Sequence, residues 1–311
     1  MRILFWGTPD FAIPSFSALS EEGYEIAGVV TQPDRPAGRG RKLRPSPVKE
    51  AALAEGVPVL EPERPRGAAF LGELRALEPD LSVVVAYGHI LHREVLDLPP
   101  LGSINVHASL LPRLRGAAPV NWAIIRGHPR TGVTIMRMAE RMDAGPILLQ
   151  TEEPIGPTQT AAELYLRLAE VGAGSLLGAL AMIETEGLEE REQDDSEATF
   201  APKITRELAR IDWTLPAPEV SNWIRGMDAV PGAWTELEGE PVKLFLPRPA
   251  PDHRHGEEPG TIIGLDPTDG ILVATGRGAV RLLEIQPPGR KRMEAGAWIA
   301  GRGAKEGQRF E

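Results

Sequence analysis

Asn105 and His107, two residues apart, and Asp143 further along are the side chains of this sequence best suited to chemistry. In an extended strand a spacing of two points both side chains to one face. The asparagine amide is a neutral hydrogen-bond donor. An imidazole, with an ordinary pKa of about 6.5, carries a proton near neutral pH, and a carboxylate close by favours its charged form. These are the parts that hold an oxyanion and move a proton during acyl transfer. The plainer alternative makes Asn105 and His107 satisfied turn residues and Asp143 the start of the turn Asp143-Ala-Gly145. Spacing alone leaves both readings open.

The elements around these residues favour the chemical reading. Over the first 150 residues short apolar runs alternate with helix-like segments. Strands are expected at Arg2–Trp6, Ile26–Thr31, Val57–Leu60, Leu81–Ala86, Gly102–Val106 and Gly132–Met138, and helices at Phe11–Glu21, Val48–Glu55, Phe70–Leu77 and Pro119–Arg126. That rhythm predicts an α/β fold with an open, mostly parallel sheet. Ligands in such sheets sit at the carboxyl ends of the strands. Asn105 and His107 fall at one strand end and Asp143 follows another, so all three are expected at one edge. A Pro-rich turn at 151–157 precedes a long helix from about Ala161 to Ile183, capped by Thr158 or Thr160, with Gly172 and Gly174 as points of bending. From about residue 207 short strands between Gly, Pro and Asp turns suggest a small β-barrel.

Composition narrows the classes. The chain has 311 residues, 42% hydrophobic and 25% charged, which is ordinary for a globular protein of about two domains. No run approaches the roughly 18 apolar residues of a membrane span, and no signal peptide is expected before the apolar segment Ile3–Trp6. The absence of cysteine excludes disulfides, thiolate catalysis and cysteine-ligated metal, and fits a cytoplasmic location. The net charge of −10 argues against a protein that coats nucleic acid. Charge is nevertheless patchy: residues 35–44 hold five bases and no acid, residues 277–309 eight bases against three acids, and residues 184–197 eight acids against Arg191. The acidic run reads as a solvated linker, while the basic patches are candidates for steering a polyanion. Gly7-Thr-Pro is not a dinucleotide-binding glycine fingerprint, so a nicotinamide enzyme is not expected. The pairs His92-x-Glu94 and His253-x-His255 lack a third ligand, and no metal site is expected. Trp122, Trp213, Trp223 and Trp234 are expected in cores or interfaces.

The run Asn105-Val-His107-Ala-Ser109-Leu-Leu-Pro112, then Arg115-Gly-Ala-Ala-Pro119, Gly132-Val-Thr-Ile135 and Met142-Asp143-Ala-Gly145-Pro, closely resembles the folate-dependent formyltransferases. Further segments, among them Phe5-Trp-Gly7-Thr-Pro-Asp-Phe11, Thr31 to Gly40, Pro45-Ser-Pro-Val-Lys49, Val85-Ala-Tyr-Gly88 and Ala209-Arg-Ile-Asp-Trp213, resemble the branch whose acceptor is methionine charged on tRNA. The resemblance spans essentially the whole chain. It implies a Rossmann-like formyltransferase domain over 1–188, a linker at 189–206 and a C-terminal OB-like β-barrel over 207–311 that binds tRNA. It implies 10-formyltetrahydrofolate as co-substrate and initiator methionyl-tRNA as partner; a monomer without membrane attachment is expected. It assigns catalysis to Asn105, His107 and Asp143, with Asp143 or a water as the immediate base. It assigns the folate pocket to Ser109, Leu110, Leu111, Pro112, Val85, Ala86, Tyr87 and Gly88. Contact with tRNA is implied for Arg35, Arg39, Arg41, Lys42 and Arg44, with Gly38 and Gly40 allowing close backbone approach, and Arg290 and Lys291 are further candidates. A sugar-nucleotide or glycinamide-ribonucleotide acceptor, a hydrolase and a non-catalytic tRNA-binding protein are the competing readings, against which the basic loop, the barrel and the intact triad argue.

Overall fold

The computed structural model describes residues 1–37, 42–185, 187 and 189–311, with only the backbone of Ala37 and Lys42. Two compact units emerge. The first comprises Met1–Gly116, Thr131–Glu153 and Tyr165–Phe200; the second Ala117–Arg130, Pro154–Leu164 and Ala201–Glu311.

In chain order the elements up to the long helix are β1 (Arg2–Gly7), α1 (Ile13–Glu21), β2 (Glu25–Val30), β3 (Arg35–Ala37), β4 (Lys42–Arg44), α2 (Pro47–Ala54), β5 (Val59–Leu60), α3 (Ala68–Ala76), β6 (Leu81–Val85), α4 (Arg93–Leu96), β7 (Ser103–His107), α5 (Pro119–Ile125), β8 (Arg130–Arg137), β9 (Ile147–Pro154) and α6 (Ala161–Glu184). One sheet has the order β5-β2-β1-β6-β7-β8-β9. The pairs from β5 through β7 are parallel, and β7 pairs with β8 antiparallel. Every residue of β6 is buried, as expected of a central strand covered on both faces. The carboxyl-edge loops are tied together: the Tyr87 carbonyl accepts from Thr8 Oγ1 at 3.1 Å and Gln32 Nε2 at 2.8 Å. Below it the Trp6 ring meets Tyr87 edge-on, centroids 5.2 Å apart.

Two differences from the sequence reading have local causes. β9 continues to Pro154, through most of the turn expected at 151–157; as an edge strand it tolerates both a terminal proline and Glu153, which pairs with Arg167 at 2.8 Å. A short hairpin, β3–β4, stands where only a basic loop was read, too short to show alternation. The long helix starts from Thr160, whose Oγ1 accepts from Glu163 N–H at 3.3 Å while Glu163 Oε2 accepts from Thr160 N–H at 2.8 Å, a reciprocal capping box. Among the described residues α6 is the helix long and apolar enough for a membrane span, yet Leu168, Leu176 and Leu180 on it are fully buried. A Cβ at Gly172 would stand 3.0 Å from Val106 Cγ1, so this glycine lets α6 pack closely on β7.

The second unit adds α7 (Ala217–Met227), β10 (Trp234–Leu237), β11 (Glu240–Ala250), β12 (Ile262–Asp266), β13 (Gly270–Ala274), β14 (Ala279–Gln286), β15 (Met293–Glu294) and α8 (Ala295–Ala300). Its antiparallel sheet runs β10-β11-β14-β13-β12, with β15 on β14. The chain end closes the ring: Phe310 bridges Leu237 of β10, and Arg309 bridges Thr261 beside β12. The Phe310 ring stacks on Trp213 at 5.8 Å, filling the barrel core. Trp213 is buried, whereas Trp122, Trp223 and Trp234 are half-buried.

Asp228 is buried and receives both terminal guanidinium nitrogens of Arg292, at 2.8 and 3.2 Å. The same guanidinium lies 4.1 Å over the Phe245 ring and meets Glu284. Burial raises the Asp228 carboxyl above the ordinary carboxylate range, and Arg292 opposes that rise. An acid that holds its proton more tightly when folded contributes most at low pH, and that contribution falls as pH rises from the unfolded to the folded pKa. Arg292→Met strands the carboxylate, so we expect a loss of about 3 kcal/mol near pH 7 and a smaller one near pH 4. Urea unfolding at the two pH values checks this; equal losses would contradict it.

Candidate active site

β7 carries Asn105 and His107. Asn105 lies opposite Val84 of β6 and Met136 of β8, and His107 opposite Thr134. His107 is 6% exposed, while Asn105 is half-buried and its side chain makes no hydrogen bond among the described residues. That amide is free to donate to a ligand.

Asp143 reaches this strand by a route the sequence reading did not foresee. Because β8 is antiparallel to β7, its end lies beside Ser103, where Met138 N–H donates to the Ser103 carbonyl at 2.9 Å. Ser103 is four residues before His107, about 13 Å away along a strand. The loop after Arg137 must therefore turn back. Gly145 makes this possible, since a Cβ there would overlap the Arg137 carbonyl. Asp143 takes the left-handed conformation, φ 52°, which aspartate tolerates better than most residues. Its Oδ2 ends 3.7 Å from His107 Nδ1 and accepts from Gly116 N–H at 2.7 Å. At 3.7 Å the contact is electrostatic rather than a hydrogen bond. His107 Nε2 lies 3.1 Å from the Leu114 carbonyl. A carbonyl only accepts, so Nε2 carries a proton, and Nδ1 is the nitrogen that faces Asp143.

The loop after β7 is held by Thr134. Its Oγ1 donates to the Ser109 carbonyl at 2.6 Å and accepts from Leu111 N–H at 3.1 Å and Gln150 Nε2 at 3.0 Å. The buried Ser109 hydroxyl donates to the Arg113 carbonyl at 2.6 Å, so it serves the loop itself. Leu111 is buried, whereas Leu110 and Pro112 are half-buried. In the segment after β6, Val85 and Tyr87 belong to the core and Ala86 and Gly88 are exposed. Burial pushes the Tyr87 hydroxyl up to about 12, keeping it neutral. Surface available to a ligand therefore comes from Ala86, Gly88, Leu110 and Pro112.

Residues 189–200, in and after the acidic run, lie in the first unit and pair with its arginines: Glu190 with Arg137 at 2.7 Å, and Asp195 with Arg115 and Arg141, both at 2.9 Å. Gln193, Thr199, Arg115 and Thr134 thus support the site, and the sequence reading missed them as individuals. Arg115 and Thr134 stood inside quoted motifs; Gln193 was hidden in a run read only for its charge.

Among the basic candidates, Arg35 and Arg44 are exposed and sit directly opposite one another in the β3–β4 hairpin. Arg39 and Arg41, with Gly38 and Gly40, lie outside the described residues, as does the Lys42 side chain. The base of the hairpin is anchored where Lys49 Nζ meets Asp34 at 2.9 Å and Glu61 at 2.7 Å. Arg290 and Lys291 are exposed and make no ion pair among the described residues, unlike their neighbour Arg292 and unlike Arg309, which meets Glu258.

Comparison with known proteins gives these features a context. The Formyl transferase family profile matches residues 1–180, and that of the Formyl transferase C-terminal domain matches residues 203–303. The methionyl-tRNA formyltransferase of Symbiobacterium thermophilum is 48% identical over 310 residues, covering 100% of this chain and 95% of that protein. That of Moorella thermoacetica is 47% identical, covering 97% of this chain and 96% of that protein. Two solved structures share the fold. HypX from Aquifex aeolicus in complex with tetrahydrofolic acid has a TM-score of 0.67 at 22% identity, over 98% of this chain and 48% of that one. Methionyl-tRNA formyltransferase from Clostridium thermocellum has a TM-score of 0.58 at 14% identity, over 91% of this chain and 98% of that one. Profiles matching both parts of the chain, and near-half identity along its length, make it a member of the formyl transferase family.

Proposed function

We propose that this enzyme transfers a formyl group from 10-formyltetrahydrofolate to the α-amine of methionine on initiator tRNA. The full-length identity to methionyl-tRNA formyltransferases carries the reading, and the grouping of Asn105, His107 and Asp143 supports it. The residues fit the donor: an unpartnered amide at Asn105 stands on the strand before the rim made by Ala86, Gly88, Leu110 and Pro112.

The donor, when bound, supplies the formyl carbon. Asn105 then donates its amide N–H to the formyl oxygen as the amine adds and that oxygen becomes negative. His107, whose Nδ1 faces Asp143, adds positive charge at the same place when it is protonated. Asp143 has Oδ2 committed to Gly116 N–H and Oδ1 without a hydrogen bond among the described residues. Oδ1 is the group that takes the proton from the attacking amine, directly or through a water. One proton leaves the amine and one reaches the departing folate nitrogen, so the site is neutral over a cycle.

For the acceptor, the two facing arginines of the β3–β4 hairpin support a polyanion partner. Like charges directly opposite destabilise a strand pair, and phosphates would relieve that cost. The barrel candidates Arg290 and Lys291 would add backbone contacts. On this reading the chain works as a monomer in the cytoplasm. Supplying 10-formyltetrahydrofolate with initiator Met-tRNA, elongator Met-tRNA or no acceptor tests it. Formylation of initiator Met-tRNA is expected; formate release without acceptor would instead indicate a hydrolase. Arg41→Ala and Lys42→Ala are expected to raise KM for tRNA about tenfold each with folate KM unchanged. Steady-state kinetics with each substrate varied checks this, and the reverse split would count against the hairpin.

A further inference from the structure

The conformation of Asp143 is held from outside its own loop. One side-chain amide, Gln193 Nε2, donates to two carbonyls of that loop, Asp143 at 2.9 Å and Gly145 at 2.7 Å. Spanning residues i and i+2, it fixes the turn that carries the left-handed aspartate. The amide is itself oriented: Gln193 Oε1 accepts from Arg115 Nε at 3.1 Å and Nη2 at 2.7 Å. A guanidinium only donates, so the oxygen must face Arg115 and the NH2 must face the carbonyls. Arg115 is 3% exposed, and its remaining Nη1 is taken by Asp195 at 2.9 Å.

The backbone beside Arg115 completes the frame. Leu114 N–H donates to Thr199 Oγ1 and Arg115 N–H to the Thr199 carbonyl, both at 2.9 Å. The next amide, Gly116 N–H, holds the Asp143 carboxylate, and the preceding carbonyl, Leu114, faces His107 Nε2. Residues 193–199 thus fix both the carbonyl and the carboxylate of Asp143 and the far side of the His107 ring.

We propose that Gln193 and Arg115 are positioning residues that set the orientation of Asp143 toward His107, acting on turnover through Asp143 and not on substrate binding. The inference rests on the formyl-transfer reading and adds to it a requirement for residues outside the three acting side chains.

The test is a cycle of Gln193→Leu and Asp143→Asn in the full chain, with formyl transfer and thermal unfolding measured for each. Misplacing a catalytic group by about 1 Å costs up to about a hundredfold. We expect Gln193→Leu to lower kcat by about ten- to a hundredfold with both KM values within about twofold of the parent. In the Asp143→Asn background the same change should cost less than about twofold, because nothing is left for Gln193 to orient. Gln193→Glu keeps the size and the Arg115 contact but loses both donors, and it decides on the same criteria if the leucine variant does not fold. An unchanged kcat, a loss confined to KM, or losses that multiply in the double variant would overturn the proposal. A fully active Asp143→Asn enzyme would overturn it too, and would identify the assignment of Asp143 as the failed premise. An impaired Asp143→Asn with an unaffected Gln193→Leu rejects the positioning role alone.

Discussion

Asn105→Ala is expected to lower kcat by about a hundred- to a thousandfold while the melting temperature stays close to the parent value. The side chain is half-buried on β7 and makes no hydrogen bond among the described residues, so its removal strands no partner. The backbone pairs to Val84 and Met136 survive the change. On the proposed mechanism the change removes a donor to the developing oxyanion, an interaction made in the transition state and hardly in the ground state. The loss should therefore fall on kcat, with KM for folate and tRNA little changed. Initial rates under saturation of both substrates, beside a thermal melt, are sufficient. A folded variant with near-parental kcat would remove Asn105 from the chemistry.

Asp143→Ala should cost roughly a thousandfold in kcat, by removing both the proposed proton acceptor and the carboxylate facing His107. Unlike Asn105, this residue has structural work as well. Its Oδ2 accepts from Gly116 N–H, and its backbone sits at φ 52°, where alanine is less at ease than aspartate. A stability loss of about 1 kcal/mol is therefore expected alongside the catalytic one. Asp143→Asn restores an acceptor for Gly116 N–H and suits the left-handed backbone, so it should recover stability without recovering turnover. Urea unfolding and kcat measured on both variants separate the two roles; an asparagine variant that regained activity would rule out Asp143 as the proton acceptor.

Periodicity made most of the first sheet legible. Strands such as Leu81–Val85 are apolar but for Ser82 because they are covered on both faces, and such runs are hard to mistake. The placement of Asn105 and His107 on one face of β7 likewise followed from a period of two. The convergence of Asp143 was anticipated for a reason that proved incomplete. A parallel β8 would have delivered the aspartate to the edge directly, but β8 is antiparallel and the return depends on the turn through Gly145. Strand direction leaves no mark on composition, so the sequence carried no sign of it. Gln193 was illegible for a related reason. A single neutral amide among eight acids has no periodic or electrostatic signature, and its partners lie 48 to 78 residues away. In the barrel the short strands were readable from their turns, but closure by Arg309 and Phe310 was not, because two bridging residues at a chain end look like any tail.

The stretch from Gln193 to Thr199 also bears on how genes of this kind can be cut and rejoined. The first family profile stops at residue 180, after Asn105, His107 and Asp143 and before Gln193, Asp195 and Thr199, which hold the segments around His107 and Asp143. On the proposed mechanism, a gene fragment ended there would inherit the reacting groups but not the hydrogen bonds made by Gln193 and Thr199. Recombination that exchanges the downstream half must then carry residues 181–199 with the upstream part, or find a replacement for them. The stretch that holds the Asp143 turn thus lies beyond the first family profile, although relatives align with this chain along its whole length.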